Sequence, residues 1–115
     1  MQLYSVTVTT NASGDDATDY TPRFTGRILE IRYSKTDYDA NPDFTLTLDD
    51  SGRTVWEEDN VDASTARLPR QNNHQTDGTT NAAEWEPIYV MNDRVKILVE
   101  NGGASKSGMF EVIVD

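Results

Sequence analysis

Apolar and polar residues alternate with a period of two in short runs along most of the chain, the pattern of half-buried β-strands. Over 2–10, Tyr4, Val6 and Val8 share one face, and Leu3, Ser5, Thr7 and Thr9 share the other. A second run, 26–35, alternates Leu29, Ile31 and Tyr33 with Ile28, Glu30 and Arg32. Over 43–48, Phe44, Leu46 and Leu48 oppose Thr45 and Thr47, and 53–58 carries Val55 and Trp56. Asp49, Asp50, Ser51 and Gly52 lie between these two runs. They tolerate positive φ and predict a hairpin. Further on, Val95, Ile97 and Val99, then Phe110, Val112 and Val114, flank a turn opened by Asn101, Gly102 and Gly103. This pattern predicts a closing β-hairpin over 95–114, flush with the end of the sequence.

The remaining segments are less regular. Residues 11–22 read as a polar turn region, and 61–68 as a strand or a short helical turn ended by Pro69. Residues 87–90 read as a short edge strand that starts at a proline. Residues 71–84 are the longest polar stretch and predict an extended loop. A loop of that length in a compact domain is usually functional or mobile. No segment carries the helical period. The expectation is one all-β domain over 1–115, an antiparallel β-sandwich of seven to eight short strands. Its connectivity is jelly-roll or immunoglobulin-like, which spacing does not separate. The expected core is Tyr4, Leu29, Ile31, Phe44, Leu46, Trp56, Ile97, Val99, Phe110 and Val112.

Charge narrows the function classes. The 115 residues carry 20 acidic and 10 basic groups, a net charge of −10. Such a surface disfavours duplex nucleic acid and anionic membranes, both of which recruit cations. No cysteine is present, so disulfides and thiolate metal sites are absent. No apolar run approaches the roughly 20 residues of a membrane helix, and no charged-then-apolar leader opens the sequence. Asp outnumbers Glu 13 to 7 and Arg outnumbers Lys 7 to 3. This balance fits a salt-loving host, where salt screens the self-repulsion of a dense negative surface. An ordinary acidic surface accounts for it too.

Few constellations carry chemistry. Asp37, Asp39, Asn41 and Asp43 have the spacing of the front half of a calcium loop. Pro42 stands where that loop needs glycine and Leu48 where it needs a bidentate Glu, so a solvated turn explains the run as well. Glu57, Glu58, Glu84 and Glu86 are paired carboxylates of the kind glycosidases use, but chance pairs are expected among 20 acids. His74, the single histidine, has no nucleophile beside it in sequence, so no enzyme activity, cofactor or metal is expected. The candidate interaction residues are Arg67 and Arg70, which break the negative surface, His74 in the polar stretch, and Trp85 at its flank. Trp56 reads as core, whereas Trp85 could serve as a sugar platform.

Several segments together have a family look. They are Val6-Thr7-Val8-Thr9-Thr10, Asp16-Ala17-Thr18, Tyr20-Thr21-Pro22, Gly26-Arg27-Ile28-Leu29, Tyr33-Ser34-Lys35-Thr36-Asp37 and Asp43-Phe44-Thr45-Leu46-Thr47. The Trp56 hairpin, the run from Ala63 to Pro69-Arg70, Asp93-Arg94-Val95-Lys96-Ile97, Gly102-Gly103 and Phe110-Glu111-Val112-Ile113-Val114 complete the set. Spanning nearly the whole chain, they resemble small structural proteins of tailed phages and archaeal tailed viruses, among them head decoration or cement proteins. The resemblance implies a virion protein, assembled in the host cytoplasm, that binds the outer head surface and stabilises it. Its partners would be the major capsid protein or other virion proteins, and a homo-oligomer, economically a trimer on a local three-fold, is implied. A head–tail connector or tail component is the alternative. A carbohydrate- or calcium-binding module is the alternative from another class. No catalytic residue is implied.

Overall fold

The computed structural model describes residues 1–115 and consists of strands and turns, with no helix. The strands are β1 (Gln2–Thr9), β2 (Ala17–Tyr20), β3 (Phe24–Lys35), β4 (Asp43–Leu48), β5 (Thr54–Glu58), β6 (Thr65–Arg67), β7 (Arg70–His74), β8 (Thr80–Asp93), β9 (Val95–Glu100) and β10 (Ser107–Val114). One sheet has the order β1-β10-β3-β8-β7, with β6 also pairing β3, and the other has the order β2-β9-β4-β5. All pairings are antiparallel.

These pairings nest. β4 pairs β5, β3 pairs β6 and β8, β2 pairs β9, and β1 pairs β10. The chain is one long hairpin, bent at the 49–53 turn and rolled so that successive pairs fall in alternate sheets. That is jelly-roll connectivity. The all-β sandwich expected from the sequence is therefore present, with ten strands because the limb returning to β3 is split into β6, β7 and β8.

The closing hairpin is not there. β9 lies between β2 and β4, and β10 lies between β1 and β3, in the opposite sheet. Val95, Ile97, Val99, Phe110, Val112 and Val114 are all buried. Their rows face one another across the core. Alternation reports which face of a strand is buried, not which strand lies beside it. The link between β9 and β10 uses left-handed backbone at Asn101, Gly103 and Ser105. Gly103 has φ +86°, and a Cβ there would also meet the Asp39 carboxylate, so the position favours glycine.

Eight of the ten expected core residues are buried. Leu29 is one exception. Glu30 pairs Ile113 and Ile28 pairs Val114, which leaves Leu29 as the extra residue of a bulge. The bulge shifts the phase of β3, so Ile28 and Ile31 are both fully buried while Leu29 is half-buried. Tyr4, the other exception, is also half-buried and stacks on Phe24 with ring centroids 5.2 Å apart. The core centres on Phe44, whose ring meets Tyr33 at 4.7 Å, Phe110 at 4.9 Å and Trp56 at 5.5 Å, all edge-on. Edge-to-face contacts of this kind add to the burial energy of each ring.

Three further expectations change. The 11–22 turn region contains β2, and the ambiguous 61–68 segment contains β6. The expected loop at 71–84 is a β-ribbon made by β7 and the first half of β8. The short edge strand at 87–90 is the middle of β8, which pairs β7 through Trp85, Glu86 and Pro87 and pairs β3 through 88–93.

Candidate functional site

The ribbon of β7 and β8 stands away from the sandwich. The molecule measures 49 × 25 × 22 Å and its radius of gyration is 14.8 Å. A compact chain of this length has a radius near 13 Å. Most side chains over 80–85 are exposed, so the ribbon buries neither face. Its own amides hold it instead, together with a hydrogen bond from the Arg53 guanidinium to Gln71 Oε1 at its base. Arg70 pairs Pro87, Gln71 pairs Glu86, Asn72 pairs Trp85, and after a wide bulge His74 pairs Thr80. Inside the bulge the Asn72 Nδ2 shares its two hydrogens among the carbonyls of Asn81, Ala82 and Glu84, at 3.2, 3.3 and 3.2 Å. The Asn81 Nδ2 donates to Asn73 Oδ1 at 2.8 Å. At the tip, Thr79 N–H donates to Asp77 Oδ1, which holds the Asp77 carboxyl below the usual carboxylate range.

The register sets Arg70, Asn72, Trp85 and Pro87 on one face. The same face continues along β8 through Tyr89 and Met91, because Ile88 and Val90 point into the core. Trp85 is 60% exposed, Tyr89 52% and Met91 79%. On the neighbouring strands this face carries Leu3 and Ile113, which pair. Its charges balance: Arg27, Arg32 and Arg70 against Glu30, Glu111 and Asp115. Arg27 bonds Asp115 at 2.7 Å and Arg32 bonds Glu30 at 2.5 Å, whereas Arg70 forms no ion pair and donates to Pro69 O. On a molecule of net charge −10, this face is free of the negative surplus. Aromatic residues, Met and Arg without excess acid are the composition of a protein-binding surface.

The four expected interaction residues separate. Arg70 and Trp85 are diagonal neighbours on this face. His74 is exposed at the far end of β7. Arg67 is committed internally: its guanidinium grips both oxygens of Glu58, each at 2.9 Å, and lies over the Trp56 ring at 5.6 Å. Hydrogen bonds from Arg67 and then Trp56 hold the Glu58 carboxyl low. The pair ties β6 to β5 and so straps one sheet to the other.

The calcium-type run is also committed to structure. Asp37 accepts from Ser107 N–H at 2.7 Å, and Asp43 accepts from Asn60 N–H at 3.0 Å and Asn101 Nδ2 at 2.7 Å. Asn41 takes left-handed backbone and donates its N–H to Asp62, while Asp39 packs on Gly103. The run latches the loops at that end of the roll, and no three His, Asp or Glu side chains converge as a metal site.

Tyr89 and Met91 were missed from the sequence. Their signal was the alternation of 87–91, which sets two large apolar side chains opposite Ile88 and Val90. Compared with protein-family models and with curated protein sequences, the chain matches none.

Proposed function

We propose that this protein is a structural component of a virion, a decoration or cement protein that docks on the outer head surface through the ribbon and the Trp85 face. The observation that carries the reading is the ribbon, a projecting element that contributes nothing to the core and brings Trp85 and Arg70 to one side. A rigid sandwich holds it in place. Trp and Arg anchors of this kind dominate the energy of protein interfaces. The family resemblance of the strand and turn segments supports a tailed-virus source, and the acidic remainder of the surface suits a salt-loving host.

The expected outcome is co-sedimentation of the purified protein with intact heads, in a ratio that matches capsid subunits. Trp85→Ala should weaken that binding at least about thirtyfold, the effect of losing one interface anchor. Its circular dichroism should be unchanged, because Trp85 is outside the core. Recovery with tails alone would move the protein to the tail or connector, and full binding by a Trp85→Ala, Arg70→Ala double variant would overturn the docking face.

A further inference from the structure

The six-stranded sheet ends at β1, and this edge is left open. β1 pairs β10 on one side and nothing on the other, in a ladder that runs without a bulge from Gln2 opposite Val114 to Thr9 opposite Ser107. Beyond its end, Thr10 N–H donates to Lys106 O. By the alternation of an antiparallel ladder, the even residues therefore bond β10. Leu3, Ser5, Thr7 and Thr9 aim their N–H and C=O groups outward. All four are exposed.

Sheet edges in proteins are normally blunted by shortness, charge, proline or a bulge. The other four outer strands here obey that rule, β6 by being only three residues long. β2 has four residues, includes Asp19 and runs into Pro22. β5 carries Glu57 and Glu58 and its ladder is bulged. β7 has five residues, carries Arg70 and has a broken register. β1 has eight residues, none of them charged and none proline, in a chain that is 26% charged.

We propose that β1 is a self-association strand that pairs antiparallel with β1 of a second copy about a two-fold axis. Two observations select a second copy. An isologous contact doubles any charge it contains, and at −10 per copy an uncharged strand is the edge that tolerates this. The strand is also self-complementary. A register centred on Val6 sets Ser5 against Thr7 and Leu3 against Thr9 of the partner, uses all four open residues and brings hydroxyl to hydroxyl. It also aligns the inward row Tyr4, Val6, Val8 of one copy with that of the other. Such a pair closes at two copies, not three, and fuses two six-stranded sheets into one. The inference stands apart from any role in a virion.

The test is sedimentation of the full chain from about 1 to about 500 µM, with amide exchange followed by NMR. About 1 M salt shortens the Debye length to about 3 Å and removes the general repulsion between copies. The wild type should reach twice 12.9 kDa as concentration rises, with exchange slowing at Leu3, Ser5, Thr7 and Thr9. Thr7→Pro should associate more than about tenfold more weakly. Its ladder to β10 should survive, because the lost N–H faces outward. Ser5→Pro should act alike, because the Ser5 N–H also faces outward and a proline there removes a donor from the joint between copies. A wild type that stays at 12.9 kDa throughout overturns the proposal. So does a dimer that persists in both variants, or slowed exchange that appears with a foreign extended peptide but not with added protein.

Discussion

Asp93 joins the two ends of the chain's inner loops. It is buried, 4% exposed, at the junction of β8 and β9, and its oxygens accept from the N–H groups of Asp50 at 2.9 Å, Ser51 at 3.2 Å and Arg94 at 2.7 Å. Burial alone would raise its carboxyl, but these backbone donors outweigh it and hold the group below the usual carboxylate range. A carboxyl whose folded value is depressed stabilises the fold above its unfolded value, about 3.9, and loses that contribution as acid protonates it. Asp93→Asn should therefore cost about 2 kcal/mol at neutral pH. The gap to the wild type should narrow as pH falls from 5 towards 3. Urea melts of both proteins across that range measure it, and a gap that does not change with pH would show that the Asp93 charge is not what the three N–H groups require. None of this was visible in the sequence, where Asp93 is one acid among 20. Arg67 is similar: its partner Glu58 lies in the other sheet, and sequence separation says nothing about that. The exposure of Trp85 was legible, because a large aromatic beside a polar stretch has no core row to join.

At the scale of elements, legibility followed burial contrast. The β4–β5 hairpin could be read because inward Phe44 and Leu46 alternate with threonines and a turn of Asp, Ser and Gly follows. The ribbon of β7 and β8 could not, because a strand exposed on both faces shows no alternation. β3 misled by one residue, since a bulge at Leu29 is silent in the pattern. A two-stranded ribbon without a core is marginal by itself. The Asn72 amide, which gathers three carbonyls of the bulge, then becomes the brace of the element. Asn72→Ala should speed amide exchange over 80–86 by about five- to tenfold, the loss of about 1 kcal/mol. The thermal midpoint of the domain should hold, because the ribbon opens independently of the core. A midpoint that falls along with the exchange would mean that the ribbon and the sandwich unfold as one unit.

For the whole molecule, the consequence lies in the nesting of the pairs. Gln2 pairs Val114, Ala17 pairs Val99, Ile31 pairs Arg67, and Leu46 pairs Trp56, so each pair encloses the next. Bringing distant chain segments together costs about 0.6 kcal/mol more for each doubling of the loop, unless an inner pair has already shortened it. The roll should therefore wind from its middle outward during folding, with the β4–β5 hairpin forming first and β1 seating last against β10. Pulse-labelled exchange during refolding should protect Trp56 and its ladder before Val6 and Val8, and the reverse order would refute this path. A chain assembled in this sequence spends its last moments with β10 as an exposed sheet edge. The strand that completes the fold is then the same one that presents an uncharged border to its neighbours, so at high protein concentration correct winding and domain exchange between copies compete for a single step.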